Sequence, residues 1–302
     1  MLIKNNDIEM LGQKGMTAGN KWGDLTAWRR AGSLPFSRMS IQPSIVVEDD
    51  VILNDVSFWN GNMNFSTMAS AGSRGCIIRA GQNTWPDTKF EENYGKAQGV
   101  IPRGSYFYYD SRANPKTQAA LWASMLSNDF GELDHAADYE EQYGGTYAGW
   151  VNLYIFMNEF QQMTGLPDDR LPLYTGYYYW LSSGKAPIGN EQSMAWFKKH
   201  RLWIAWYTTN PSYVKIPQPW DAETLLRWQN GVSPEGNKYG SSGENIDVNK
   251  HVHGDADYVS FYDLGGTTPP PPDGLQPYTT NVTVTQTGYY DAQASVEMKP
   301  LP

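Results

Sequence analysis

From about residue 45 the chain alternates short apolar, β-branched runs with longer segments whose apolar residues recur at helical spacing. The apolar runs predict strands at residues 51–56, 75–80, 104–109, 135–140, 171–174, 202–206, 225–229 and 246–248. Helical patterning falls between several of them, at 65–71, 89–98, 116–126, 147–164 (closed by Gly165) and 190–199, the last with an i, i+3 apolar pair at Met194 and Phe197. Strand and helix in alternation is the pattern of a parallel α/β fold. The last strands are joined by loops instead. The expected fold is an incomplete TIM-like β/α barrel, with eight strands and fewer helices toward the C-terminus.

The flanks have a different texture. Residues 1–46 are polar, Gly-bearing and weakly periodic, with a short helix expected at 24–30, and read as an N-terminal extension to a barrel over 47–264. Pro269 to Pro272 stiffen a Gly/Pro-rich linker over 265–277. The tail, 278–302, alternates at Asn281-Val282-Thr283-Val284-Thr285 and again near 295–298, which predicts a hairpin across Gly288. So small a piece cannot hold a core of its own. It is expected to pack on the barrel or, with the N-terminal extension, to attach to a larger assembly.

Composition narrows the partners. A formal charge of -9 over 302 residues argues against nucleic acid, whose binding draws on Lys and Arg to displace counterions. Aromatic residues make up 14%, including 12 Trp and 20 Tyr, and only 18% are charged. Flat rings with a polar handle suit an uncharged polymer such as a glycan, although most such rings belong to cores. The lone Cys76 lies in Gly75-Cys76-Ile77-Ile78 and reads as a buried small hydrophobe, without a disulfide partner in the chain. No apolar block of the kind a signal peptide or membrane span requires appears in residues 1–32.

The chemistry centres on Asp138-Tyr139-Glu140. Alternation along a strand puts both carboxyls on one face, about 6 to 7 Å apart. Acids that close disfavour each other's charge, so one can stay protonated near neutral pH and serve as a proton donor, as in glycosidases. A solvated acidic edge is the plainer reading of the triplet alone, with Glu132, Asp134 and Glu141 nearby.

Several segments in order change that weighting: Asp55-Val56-Ser57-Phe58-Trp59-Asn60-Gly61, Ile77-Ile78-Arg79-Ala80-Gly81, Phe90-Glu91-Glu92-Asn93-Tyr94, Gly104-Ser105-Tyr106-Phe107-Tyr108, the acidic triplet, Leu173-Tyr174-Thr175-Gly176-Tyr177, Leu202 to Tyr207, Arg227-Trp228-Gln229 and Ile246-Asp247-Val248-Asn249. Together they resemble glycoside hydrolase family 25, the muramidases that include Chalaropsis-type lysozymes and many phage endolysins. Asn60 stands where that family usually has Gln, Phe107 where His is frequent, and Asp134-His135 where an aliphatic run is usual.

The resemblance implies a peptidoglycan hydrolase cleaving the β-1,4 bond between N-acetylmuramic acid and N-acetylglucosamine with retention. It implies Glu140 as general acid, its pKa raised by neighbouring carboxylates and the rings of Tyr108 and Trp228. Asp138 would polarise the substrate's 2-acetamido group, and Asp55 and Asp247 would tune charge and orient water or hydroxyls. Trp59, Arg79, Tyr106, Tyr108, Tyr174, Trp203 and Trp228 are the expected substrate-binding residues. Action on the bacterial cell wall follows, with no cofactor and no metal. The alternative is a non-catalytic glycan-binding or virion-associated structural module on the same barrel.

Other motifs carry less. His251-Val252-His253-Gly254-Asp255 has the alternation of a metal-ligand run but no further His after it, and reads better as a polar strand end. No Gly-rich phosphate loop precedes a helix. Ser57 has no base near it in sequence and reads as a turn or helix-entry residue.

Overall fold

The computed structural model describes residues 51–264 except 141 and 142, together with the backbone of two strands in the tail. All of this lies within one unit of the chain, Ser44–Pro302. The extension expected over 1–46 and the linker over 265–277 lie outside the described residues, apart from barrel entry after residue 46, which is described from 51.

Eight strands close a ring: β1 (Ile52–Val56), β2 (Ser73–Gln82), β4 (Arg103–Tyr108), β5 (His135–Tyr139), β6 (Leu173–Gly176), β7 (Leu202–Ala205), β8 (Leu225–Ser233) and β9 (Ile246–His251). The spatial order is β1-β9-β8-β7-β6-β5-β4-β2, and β1 pairs with β2 to complete the circle. A two-residue strand that the sequence pattern did not reveal, β3 (Trp85–Pro86), folds back antiparallel on the end of β2. Gly81 permits this close return, since a Cβ there would sit 2.6 Å from the Trp85 carbonyl oxygen.

Six junctions of the ring are parallel, but β9 runs antiparallel to both β8 and β1. This departs from the all-parallel expectation. An antiparallel neighbour needs no crossover helix, which is why helical patterning stops before the last strands.

The helices are α1 (Phe65–Ser70), α2 (Phe90–Ala97), α3 (Pro115–Leu126), α4 (Trp150–Thr164), α5 (Tyr177–Trp180), α6 (Glu191–Lys199) and α7 (Gly254–Phe261). Local chemistry sets their ends. Asn64, Asn114 and Asn190 accept from the backbone N–H groups of Thr67, Lys116 and Ser193, and Gly165 closes α4 in a left-handed conformation with its N–H on the Gln161 carbonyl. Neither α5 nor α7 was legible beforehand; one is a single turn and the other follows the polar His251 to Gly254 segment.

Two cores result from the alternation of side chains along the strands. The larger lies outside the ring, where Ile78, Phe107 and Ala137 meet the helices. There Trp122 of α3 stacks on Phe160 of α4 with ring centroids 3.8 Å apart. Burial of each such ring contributes roughly 1.5–3 kcal/mol. The smaller core fills the barrel, with Leu53, Ile77, Ala136, Tyr174 and Trp203. In the tail, β10 (Tyr278–Gln286) and β11 (Ala292–Pro300) pair antiparallel with Val282 opposite Val296, the hairpin expected across Gly288.

Candidate active site

Because β4 to β8 run in parallel, their C-terminal ends share one rim of the ring. The inward set on β5 is Ala136 then Asp138, and Glu140 follows one residue past the strand end. Asp138 is 5% exposed and Glu140 is half-buried. On the opposite arc Asp55 of β1 lies directly across from Asp247 of β9. Such cross-strand partners have Cβ atoms about 4.5–5.5 Å apart.

Three tyrosines tie the two arcs together. Burial pushes the Tyr106 hydroxyl well above its ordinary pKa; Arg79 pulls the other way, while Asp55, Asp138 and Asp247 push it further up. Tyr174 is raised by burial, then by Glu140, Tyr207, Asp138 and Asp55. Tyr108 is raised by burial, then by Asp138 and Glu140. Each of the four acids is therefore within electrostatic reach of one of these buried rings. Carboxylates from β1, β5 and β9, nearly two hundred residues apart at the extremes, converge on one mouth.

Neutral amides hold two of the acids in place. The Asn249 amide donates to Asp55 at 2.9 Å, and its carbonyl oxygen accepts from the Trp203 indole N–H at 2.8 Å. The Gln229 amide donates to Asp247 at 2.9 Å, and its carbonyl oxygen accepts from the Tyr174 hydroxyl. Asn249 and Gln229 were not singled out from the sequence. Their inward parity with Asp247 and Arg227 was the available signal.

This arrangement corrects one expected substrate wall. Trp228 is fully buried on the outer face of β8, with its indole N–H on the Thr208 carbonyl, so it neither lines the mouth nor shields Glu140. Trp203 at 3% exposure and Tyr174 at 7% are buried in the barrel core, with Tyr174 in register with Asp138. They hydrogen-bond Asn249 and Gln229. Tyr106 and Tyr108 are partly buried and face the mouth.

The exposed aromatics stand elsewhere on the rim. Trp59 is 75% exposed in the single 3-10 turn after β1, its ring 4.3 Å from that of Phe58. Ser57 caps this turn, as its helix-entry reading requires. Phe58, Arg79, Trp85 and Asp87 line a concavity of ≈ 270 Å³. Arg79 is held there by Asp87 at 2.7 Å, with its guanidinium 4.8 Å from the Phe58 ring centroid. Asp87, Phe58 and Trp85 were not anticipated as cleft residues.

The His251 run divides. His251 is buried and bonds Asp257 at 3.0 Å, whereas Asp255 pairs with Arg74. Among the described residues no group of three His, Cys, Asp or Glu is placed to hold a metal ion. Cys76 is buried on the outer face of β2, its thiol pKa raised by burial and by Asp55. No helix among the described residues is long and apolar enough to cross a membrane.

A closed β/α barrel with four carboxylates gathered at the C-terminal rim, flanked by exposed rings, has the form of a barrel glycoside hydrolase. The chain belongs to glycosyl hydrolases family 25, whose family model matches residues 54–233. It is 29% identical over 207 residues to lysozyme M1 of Streptomyces globisporus, an alignment covering 65% of this chain and 66% of that protein, just under two thirds of its length. Its fold is similar to the lysozyme of Streptomyces coelicolor, with a TM-score of 0.56, 22% identity and coverage of 72% of this chain and 100% of that one. The family 25 lysozyme of Aspergillus fumigatus is comparably similar, at TM-score 0.53 and 23% identity over 72% of this chain and all of that chain.

Proposed function

We propose that the protein is a peptidoglycan hydrolase acting on the bacterial cell wall as an N-acetylmuramidase. The observation that carries the reading is the convergence of Asp55, Asp138, Glu140 and Asp247 around Tyr106, Tyr108 and Tyr174. Family membership supports the substrate class.

In the proposed mechanism Glu140, just past the end of β5, gives its proton to the glycosidic oxygen as the bond to the anomeric carbon breaks. The role requires Glu140 to hold its proton before the substrate arrives, an arrangement that neighbouring carboxylates favour. Asp138 orients the N–H of the 2-acetamido group, so that the carbonyl oxygen of the same group attacks the anomeric carbon. Water then opens the resulting oxazolinium ring, giving its proton to the Glu140 carboxylate. Two displacements at one carbon return the original configuration. Asp55 and Asp247, held by Asn249 and Gln229, would stabilise the positive charge that develops on the sugar.

The test is release of reducing ends from purified peptidoglycan by the wild type and by Glu140→Gln. Cleavage by the wild type with loss in the variant, at unchanged glycan binding, supports the reading. Wild-type protein that binds the glycan and makes no cuts between pH 4 and 8 would replace it with a non-catalytic glycan-binding module.

A further inference from the structure

At the ends of β6 and β7, across the ring from β1 and β2, stands a second aromatic group that the mechanism does not use, with Tyr177 and Trp206 packed on the edge of the outer core. Tyr177 and Tyr178 open α5 directly after β6, and Trp206 follows the last residue of β7. The three rings touch: centroids are 5.1 Å apart for Tyr177 and Tyr178, 5.8 Å for Tyr177 and Trp206, and 6.2 Å for Tyr178 and Trp206.

Lys215, from the loop after β7, places its ammonium 5.8, 5.9 and 5.4 Å from the centroids of Tyr177, Tyr178 and Trp206. Ring faces attract a cation and limit where its flexible stem can point. They do not use up its three hydrogen-bond donors. Lys89, Lys96, Lys116, Lys198 and Lys238 each pair with a carboxylate at 2.5–3.3 Å. Lys215 is exposed and has no carboxylate partner among the described residues.

The placement is informative in a chain of net charge -9 whose mouth gathers four acids. Trp206 leaves the ring two strands from β5, roughly 10 Å from the acidic strand at ordinary strand spacing. A glycan strand seated on the acids reaches that distance with its next units. An uncharged homopolymer of N-acetylglucosamine offers a held ammonium only neutral acceptors and no carboxylate. Peptidoglycan does: its muramic acid residues carry a lactyl group, ending either in a free carboxylate or in a stem peptide with carboxylates of its own.

We propose that Lys215, held by Tyr177, Tyr178 and Trp206, is a specificity residue that recognises a carboxylate on the lactyl or stem-peptide branch of the glycan. The inference rests on the glycan-hydrolase reading above, and deepens it by separating muramic acid polymers from neutral ones.

The experiment compares wild type, Lys215→Met, which keeps the apolar stem, and Lys215→Arg, which keeps the charge. The substrates are stem-bearing peptidoglycan strands, amidase-treated strands with free lactyl carboxylates, and N-acetylglucosamine oligomers. Binding to all three is measured in parallel on a Glu140→Gln background, so the preference can be read even where no cuts occur. Lys215→Met is expected to weaken use of carboxylate-bearing strands by about fivefold, chiefly through KM or Kd, as befits one partly exposed charged contact. Neutral oligomers should be unaffected, and Lys215→Arg should retain most of the preference. A deficit on both carboxylate-bearing substrates assigns the lactyl carboxylate, and a deficit on stem-bearing strands alone assigns the peptide. Equal effects on neutral and charged glycans, or no effect on any, overturn the proposal. Wild-type protein that cuts none of the substrates overturns the hydrolase reading alone, because the binding arm still scores Lys215.

Discussion

The two ends of the barrel interior both bury acids, and they treat them in opposite ways. At the lower end Asp134 and Arg227 are fully buried against each other, with the Tyr262 hydroxyl on the same carboxylate. Burial alone would raise the Asp134 pKa, but the guanidinium and the hydroxyl outweigh it and hold the carboxyl below its usual range. At the upper end the hydrogen bonds resolved to Asp55 and Asp247 come from the neutral amides of Asn249 and Gln229. Arg79, at this end, is engaged by Asp87. A guanidinium matched to a carboxylate makes a fixed, unreactive unit. Amides orient carboxylates without cancelling their charge, which suits the role proposed for the upper acids.

If that contrast is right, substitutions at the two ends should separate activity from stability. Glu140→Gln should lower turnover on peptidoglycan by about 10³-fold, within the range for loss of a general acid, with thermal unfolding essentially unchanged. A variant that loses activity only in proportion to its folded fraction would erase the contrast. Arg227→Met should do the reverse, costing about 4 kcal/mol in denaturant titration because Asp134 is left buried and unpaired, while surviving folded protein retains activity. Asp134→Leu combined with Arg227→Met should recover much of that loss.

Acid sharpens the comparison further. His251 packs beside Tyr258 and Tyr262 at the lower end, and burial, partly offset by Asp257, lowers its pKa to about 4. The folded state therefore disfavours the charged ring, so stability is full above about pH 6.5 and is lost as pH falls from there toward 4. His251→Gln should flatten unfolding free energy over this window by up to roughly 3 kcal/mol. An unchanged profile would remove His251 from the acid response. The smallest effect is expected from Gln229→Ala, which removes the amide's bonds to Asp247 and the Tyr174 hydroxyl together. Activity should fall about tenfold, with about 1 kcal/mol of stability lost with the hydrogen bonds. A stability loss with activity intact would make Gln229 part of the frame and not of the site.

Much of this architecture was legible before any coordinates. All eight ring strands were placed from apolar runs, because a strand buried on both faces writes a short β-branched stretch into the chain. Helices α1, α2, α3, α4 and α6 were placed from their periodicity, and the tail hairpin from its alternation. The four acids were marked by motif resemblance, with only the Asp138 and Glu140 pair visible from spacing.

What failed to show has a common cause. Trp228 looked like a sugar wall because large rings read alike whichever way they point. Inward parity for Arg227 and Gln229 necessarily sends Trp228 outward, but only the register of β8 against β7 and β9 tells which parity is inward. Trp203 and Tyr174 have the inward parity, yet the packed ring leaves them almost wholly buried, which no local pattern shows. The turn of β3 onto β2, which brings Trp85 beside Arg79 and Asp87, rests on one close backbone approach at Gly81.

The amino-acid order by itself therefore determined the eight ring strands, five of the helices and their succession, which follow from local periodicity, and the spacing of Asp138 and Glu140. Ring closure decided the rest. Pairing β1 with both β2 and β9 brought Asp55 opposite Asp247 and within reach of Asp138. Contacts between residues so far apart in the chain are fixed by packing and strand register, which no local pattern encodes.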